Sequence, residues 1–451
     1  MDLNELKNKK ILLFGKPRAF DEEEFSAQLS QHKIECVTRY EEDVALIIEG
    51  RMMSPYEQNE SEALYEKKVA AFESIDALEK ALVEQIKEDT LMMSLKLSRD
   101  KTRLLSFLKN TIISDTLFLK LLGMYDWSKE DFFENDSNRD VCAALIRRFY
   151  HNIERNHNVE YATLGLMHLI SQTNNSELIE AIFKLEPLQK ELEKKEVDSK
   201  FSILEAMVRN PATPKSILES LIKKAPTTLL VSIALREDCD ALMQEALLRK
   251  EDEKIKEALS LSRTLDTKII TSFLEKGEAK YLANIAKNIQ LTPMLFGMLE
   301  EYEEALAYNS SLDAEMQKRL FASKQQKVWR ALAANSALEQ ELFEKLLQEG
   351  DSEVKMALFA NASAPKELLA QAYEDESYHL SLASNSATSQ ELLALLAQSQ
   401  NKEILIALAQ NTNTPVETLY QLQLDSHLQK YVKENPSFGA HIQSQNIGWM
   451  V

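Results

Sequence analysis

Few side chains in this sequence have the residue types and spacing that a metal site, a phosphate-binding loop or a catalytic site requires. His151, His157 and His168 lie near one another along the chain, but no HExxH or comparable ligand spacing links them, so no metal site is expected. The three cysteines lie far apart along the chain and form no CxxC pair. Gly15-Lys16 lacks the GxxxxGK(S/T) pattern of a phosphate-binding loop. No nucleophile, base and orienting partner share a motif, so the sequence predicts no catalytic residues, no cofactor and no small-molecule substrate.

The elements that would have to position any site are almost all helices. The chain has 451 residues, more than one hydrophobic core of about 250 to 300 residues can serve, so several domains or an elongated array are expected. Glycine occurs 9 times and proline 10 times, whereas Leu, Ala, Glu and Lys recur throughout. This composition predicts a mainly α-helical protein.

Charge argues against one class of partner. The formal net charge is −19, and segments 1–90 and 201–451 are both acidic. A surface that binds duplex nucleic acid normally concentrates Lys and Arg, so this balance disfavours nucleic acid. One cluster of cations stands out, which is either a solvated helix face or a stripe that docks an anionic partner. It comprises Lys96, Arg99 and Arg103 at spacings of three and four, with Lys101, Lys109 and Arg147-Arg148 nearby.

The sequence also predicts a cytoplasmic location. The N-terminus MDLNELKNKK lacks the apolar stretch of a signal peptide. No run approaches the roughly 20 apolar residues that a membrane span needs. The cysteines form no disulfide framework and are expected to be small core residues in a reducing compartment. No membrane partner is expected.

An asparagine that follows a small-apolar run recurs in the C-terminal half. Its positions are Asn210, Asn288, Asn309, Asn335, Asn361, Asn385, Asn411 and Asn435. From Asn309 onward the spacing is nearly constant, and the first two markers are separated by three such units, with Arg236 and Ser262 at the marker position. The step from Asn288 to Asn309 is shorter than the others. Such a period predicts an array of helical units, each of which buries its face against its neighbours.

Each unit is predicted to be a helix, a short turn and another helix. We call the helix after the marker the first helix and the one before the marker the second helix. In TPVETLYQL, Thr414 is expected to cap the first helix, with Pro415 at its first position and Glu417 closing a capping box. The marker asparagine is expected to end the preceding helix in the left-handed conformation.

Four columns of residues, counted from the marker as zero, predict how the helices pack. Apolar residues recur at positions +7 and +11 of the first helix and at −3 of the second, and position −4 is small in eight of nine units. A small side chain at a fixed place lets neighbouring helices approach closely. The columns therefore predict a stack of helix pairs.

This pattern resembles the leucine-rich repeat variant and, more loosely, HEAT repeats. The signature AxN-xx-(T/S)P-xEL-L carries the resemblance over residues 200–440. The resemblance implies a right-handed α-solenoid of helix pairs, and the marker spacing gives each unit about 26 residues. The period is longer than in the first family and that family's cysteine cluster has no counterpart here, so its iron–sulfur cluster is not expected.

Residues 9–82 follow another rhythm: strand, helix, strand, strand, helix, strand and helix. The strands are expected at 9–15, 33–37, 44–50 and 69–72. This order is similar to that of a BRCT domain. The resemblance implies a small α/β domain over 1–90 and anion binding by Gly15, Lys16 and Lys67, although that family's hydroxyl residue, glycine pair and Trp are missing here. Residues 91–200 are expected to be a helical cap and connector, and 201–451 the repeat array.

The second helices offer a surface for binding. If positions −7, −4 and −3 are buried, −6 and −5 face outward on the concave side of the array, and Leu230 and Leu282 share the −6 column. Trp, Arg and Met are suited to binding hot spots. The candidate partner-binding residues are Trp329, Arg330, Lys355, Met356, His379 and Leu405. The alternative is that packing between units closes these positions.

These observations favour a non-catalytic scaffold that binds a protein or peptide partner, with the α/β domain as a second docking module. The alternative is a nucleic-acid-associated protein, because some HEAT-like arrays cradle duplexes and BRCT-like domains occur beside DNA repair.

Overall fold

A computed structural model describes residues 1–127, 131–133, 135–150, 163–193 and 201–446. The chain divides into two compact units, Met1–Ile233 and Ala234–Val451. The described residues are mainly helical, with one small parallel sheet near the N-terminus, as the sequence predicts. The expected domain boundaries at 90 and 200 stay predictions, and the second of them lies outside the described residues.

The N-terminal elements occur in the predicted order. Four parallel strands form a sheet in the order β2-β1-β3-β4, so that Ile11 of β1 lies beside Cys36 of β2 and Leu46 of β3. Leu12 and Ile47 are fully buried in the core on the sheet. The elements are β1 (Lys10–Phe14), α1 (Glu22–Gln31), β2 (Glu35–Val37), β3 (Val44–Glu49), α2 (Pro55–Lys67), β4 (Ala71–Ser74) and α3 (Ile75–Glu84), after a 3-10 turn at Leu3–Leu6.

Helices make up the rest of the first unit. They are α4 (Glu88–Ser98), α5 (Lys101–Lys109), α6 (Asp115–Leu122), α7 (Asp136–Phe149), α8 (Thr163–Gln172), α9 (Ser176–Phe183), α10 (Glu186–Glu191), α11 (Phe201–Arg209), α12 (Lys215–Lys224) and α13 (Thr227–Ala234). The α/β domain docks on α5. The guanidinium of Arg103 donates to the buried carboxylate of Glu24 at 2.6 Å, and Phe107 meets the ring of Phe20 edge to face.

The second unit consists of alternating first and second helices. They are α14 (Ala241–Leu248), α15 (Glu253–Ser260), α16 (Thr267–Lys276), α17 (Ala279–Asn288), α18 (Pro293–Met298), α19 (Glu303–Ala307), α20 (Ala314–Ala322), α21 (Gln326–Ala333), α22 (Gln340–Glu349), α23 (Ser352–Ala360), α24 (Lys366–Ala372), α25 (His379–Ser384), α26 (Gln390–Leu396), α27 (Lys402–Gln410), α28 (Val416–Leu422), α29 (Gln429–Glu434) and α30 (Pro436–Asn446), with 3-10 turns at Glu300–Tyr302 and Glu376–Tyr378. Each second helix from α15 to α27 packs against the second helix of the next pair.

The predicted core columns are confirmed at −3 and +11, whereas at −4 Ser232, Ala305, Ala357 and Ala407 are only half-buried. Every residue at position −3, from Met207 to Leu408, is buried, and so are all those at +11 from Leu221 to Leu396. At +7, Leu368 and Leu392 are only half-buried, and the buried side chains there are Leu369 and Leu393 at +8. The two helices of a unit therefore meet through faces that the sequence marks.

The predicted turn geometry is wrong in two respects. Asn361, Asn385 and Asn411 end their helices with extended backbone (φ −77°, −84° and −71°) and not in the left-handed conformation. Thr414 does not cap α28, because its buried hydroxyl donates back to the carbonyl of Leu408 at 2.7 Å and closes the end of the preceding helix. Thr292, by contrast, does cap α18, since its side-chain oxygen accepts from the N–H of Leu295.

The cysteines lie apart and carry free thiols. Cys142 and Cys239 are buried as predicted, and Cys36 is half-buried at the sheet. Burial raises the pKa of the Cys239 thiol to about 12, which keeps it protonated and unreactive.

Candidate protein-binding face

A ladder of buried asparagine side chains joins consecutive units. The side-chain amide of Asn361 donates to the carbonyls of Ala333 and Asn335, both at 2.8 Å, and its Oδ1 accepts the N–H of Ser363 at 2.9 Å. The carbonyls that end a helix lack partners within it, so the asparagine supplies donors that the preceding unit needs. Asn335, Asn385, Asn411 and Asn435 repeat the three bonds.

Not every residue in the marker register belongs to this asparagine ladder. Asn288 lies inside α17, and its amide donates to the carbonyl of Asn284 in the same helix at 2.8 Å. The buried Ser262 supplies only the acceptor, since its Oγ takes the N–H of Thr264. The spacing marked Asn288 correctly as the end of a helix, but its side chain does not join the ladder between units.

The sequence reasoning missed one marker-like residue in the first unit. Asn110 ends α5 with extended backbone, its Oδ1 accepts the N–H of Ile112 at 3.0 Å, and Ser114 caps the next helix four residues on. The guanidinium of Arg148, from α7, donates to the carbonyl of Asn110 at 3.2 Å. In the asparagine ladder, the side-chain amide of the following marker asparagine makes the equivalent bond. The pattern was hidden because Arg148 replaces asparagine and lies farther from Asn110 along the chain than one repeat period.

The prediction that Trp329 faces outward is wrong. Its side chain is only 4% exposed, its indole stacks on Phe321 with ring centroids 4.8 Å apart, and its Nε1 donates to the carbonyl of Phe321 at 2.8 Å. Leu230 and Leu282 in the same −6 column are also buried. At these three positions, packing closes the column.

Several of the other candidate partner-binding residues have side chains that are at least partly exposed to solvent. Arg330 is exposed and pairs with the carboxylate of Glu353 at 2.6 Å. Lys355, Met356 and Leu405 are half-buried. His379 is held in place, since its ring stacks on Tyr373 and its Nε2 lies 2.8 Å from the carbonyl of that residue. None of these contacts tests their predicted binding role.

A groove of about 830 Å³ lies on the second helices where the repeat is shortest. It runs across α17, α19 and α21, and Ala283, Ala305 and Val328 contribute apolar surface. The other residues that line it are polar or aromatic, namely Asn284, Lys287, Glu300, Glu301, Tyr302, Glu303, Glu304, Tyr308, Gln325 and Lys327. Two signals in the sequence mark this place: the run Glu-Glu-Tyr-Glu-Glu at 300–304 and the shortened step before Asn309.

Three of the four carboxylates of this second-helix groove form no ion pair within the described part of the chain. Glu300 pairs with Arg319 at 2.7 Å, and Glu303 accepts a hydrogen bond from Gln325 at 2.8 Å. Glu301 and Glu304 are exposed, and no described cation lies within ion-pair distance of either carboxylate. The groove is therefore an acidic surface on which the carboxylates of Glu301 and Glu304 are exposed and not neutralised by a described cation.

No protein-family model, curated protein or solved structure matches this chain. The family resemblances of the repeat and of the α/β domain therefore stay predictions.

The predicted anion site on the α/β domain is already filled by the protein's own carboxylates. The N–H of Gly15 donates to Glu57 at 3.0 Å, which lowers the pKa of that carboxyl. The buried Glu79 accepts the next loop amides, from Arg18 to Phe20. Lys16 pairs with Glu22 at 2.9 Å, so its charge is also partly used.

Lys67 does not converge with that loop. It is the last residue of α2, whereas Glu57, which contacts Gly15, lies in the first turn. Ten residues of helix separate the two, or about 15 Å at a rise of 1.5 Å per residue. This geometry does not favour the predicted anion site of Gly15, Lys16 and Lys67, which stays a prediction.

The basic cluster around α5 is largely neutralised. Arg103 binds Glu24, Lys101 pairs with Asp126 at 3.1 Å, and Lys109 pairs with Asp140 at 2.5 Å. Arg148 binds Asp115. Lys96 and Arg99 are exposed on α4 and its C-cap, so only a small part of the predicted stripe faces solvent without a carboxylate among the described residues.

Within the described ranges, no three His, Cys, Asp or Glu residues lie close enough to hold a metal ion. His168 is half-buried on α8, whereas His151 and His157 lie outside the described residues. The same ranges contain no helix long and apolar enough to cross a membrane.

Proposed function

We propose that this protein is a non-catalytic scaffold that binds a protein or peptide partner on the second helices of its C-terminal unit. The helix pairs of that unit would form a right-handed α-solenoid of the kind that the leucine-rich repeat variant and HEAT resemblances imply. A cytoplasmic location and the BRCT likeness of the N-terminal domain belong to the same proposal.

The observation that carries this proposal is the groove across α17, α19 and α21. The asparagine ladder and the −3 and +11 columns use their side chains to hold the units together. Glu301 and Glu304 of the groove make no such link among the described residues, and a polar groove with aromatic side chains is suited to a partner chain.

Site-specific photo-crosslinking tests the proposal. A benzoyl-phenylalanine placed at the exposed groove residue Lys327 should capture a polypeptide that excess unmodified protein competes away. The matched control is Lys366, a lysine at the start of the first helix α24 and away from the groove. Equal capture at both positions, or none at Lys327, would refute binding on this face.

A further inference from the structure

The groove lies at the shortest unit of the array. The second helix α19 has 5 residues, whereas its neighbours α17 and α21 have 10 and 8. At a rise of 1.5 Å per residue, α19 is about 7 Å long and α17 about 15 Å. The 3-10 turn Glu300–Tyr302 leads directly into α19, and its three residues line the groove.

The groove combines a floor of small side chains with an acidic side. Ala283 and Ala305 leave room for the stem of a long side chain, and the carboxylates of Glu301 and Glu304 are accessible without a described cation. Long cationic side chains bury their methylene stems along apolar surface while the charged end meets a carboxylate.

One lysine of the protein itself already contacts an aromatic ring in the groove. The ammonium of Lys287 lies 5.0 Å from the ring centre of Tyr308, on the wall of the groove. The ring of a tyrosine attracts a cation through its negative face. Tyr302, half-buried between the four glutamates, offers a second ring that no described cation covers.

We infer that the groove binds a partner segment that carries lysine or arginine side chains. The inference rests on the proposed function and specifies the chemistry of the partner. A metal ion fits the groove less well, because within the described ranges these carboxylates do not come close enough together to form a metal site. A nucleic acid would meet the repulsion of the glutamates.

Peptide binding to the full chain tests the partner chemistry. The probe is a fluorescein-labelled peptide, four to five helical turns in length, with lysine at every third position among Gly, Ala and Ser, and the reference peptide carries glutamate instead. The lysine peptide should bind in fluorescence anisotropy at low salt, and the glutamate peptide should not. Absence of lysine-peptide binding would overturn the inference.

A charge-matched pair of variants separates the groove from the overall charge of −19. Glu301→Gln with Glu304→Gln should weaken the lysine peptide about fivefold, a modest change because exposed ion pairs are individually weak. Glu344→Gln with Glu374→Gln removes the same charge from exposed residues at first helices and should change affinity less than twofold. Equal weakening by both pairs would show attraction to net charge alone and overturn the inference.

The crosslinking experiment then distinguishes the two proposals. If Lys327 captures a partner with equal efficiency in the Glu301→Gln, Glu304→Gln background, the face binds but the basic-segment inference fails. If the photo-crosslinker at Lys327 captures no polypeptide that excess unmodified protein competes away, the proposed function itself fails.

Discussion

The side-chain amide of Asn385 donates to the main-chain carbonyl of Asn361 at 2.8 Å, and Asn385 is fully buried. This bond links one marker asparagine directly to the marker asparagine of the preceding unit. The ladder is therefore a series of hydrogen bonds between the turns of successive units. The Oδ1 of Asn385 meanwhile accepts the N–H of Ala387 at 2.7 Å and shapes its own turn. One residue type thus sets both the local turn and the distance to the next unit.

Replacing Asn385 with alanine should lower the free energy of unfolding by about 2 to 4 kcal/mol, because buried carbonyls and an N–H lose their partners. Asn288→Ala is the matched control, since its amide bonds only within its own helix, and we expect a loss below about 1 kcal/mol. Urea unfolding followed by circular dichroism measures both. Equal losses would show that the ladder adds nothing to the stability of the unit.

Trp329→Ala should destabilise the second unit by about 3 to 5 kcal/mol, because it empties a buried site against Phe321. Trp329→Phe keeps an aromatic ring in the core but loses the Nε1 bond and should cost much less. Thermal unfolding compares the two variants. Weaker partner binding by Trp329→Ala at unchanged stability would instead restore Trp329 as a direct contact residue.

Arg103→Ala should cost about 3 to 5 kcal/mol, because it leaves the buried carboxylate of Glu24 without its counter-charge. The control Lys101→Ala removes an exposed pair with Asp126 and should cost less than about 1 kcal/mol. Limited proteolysis between the α/β domain and α5, together with melting curves, reads out the docking. Similar behaviour of the two variants would contradict a role for the buried pair.

The α/β domain should lose stability in acid partly through Glu57. Its folded pKa lies below the ordinary value, chiefly because the Gly15 N–H binds the carboxylate. That contribution is complete above the unfolded pKa of about 4.3 and is lost as pH falls through the folded pKa. Melting temperatures between pH 6 and pH 3 should fall less steeply for Glu57→Gln than for the wild type, and parallel curves would contradict the assignment.

Duplex DNA should not bind appreciably even at low ionic strength, because Lys101, Arg103, Lys109 and Arg148 are held by carboxylates. Anisotropy of a labelled short duplex, titrated at several salt concentrations, measures this. Binding with a steep salt dependence would favour the nucleic-acid alternative, and loss of that binding in Lys96→Ala with Arg99→Ala would place it on α4.

The sequence was most informative about residues whose role depends only on the helix, strand or turn in which they lie. The α/β order at the N-terminus and the buried −3 and +11 columns follow from local periodicity, which the chain displays directly. The period of the markers also identified the short unit before Asn309 as irregular. Those properties depend on residues a few positions apart.

Tertiary structure decided what each patterned residue touches. A marker asparagine looked like a helix terminator, but its amide reaches carbonyls of the preceding unit, such as that of Phe359 from Asn385. The position of Trp329 predicted exposure, and the neighbouring Phe321 buries it. The sequence suggested that Gly15 could bind an anion, but in the structure its N–H donates to the carboxylate of Glu57 on α2. Composition and spacing specify which groups need partners, but the three-dimensional packing determines whether the chain supplies those partners itself or, as at Glu301 and Glu304, leaves the carboxylates exposed without a cation among the described residues.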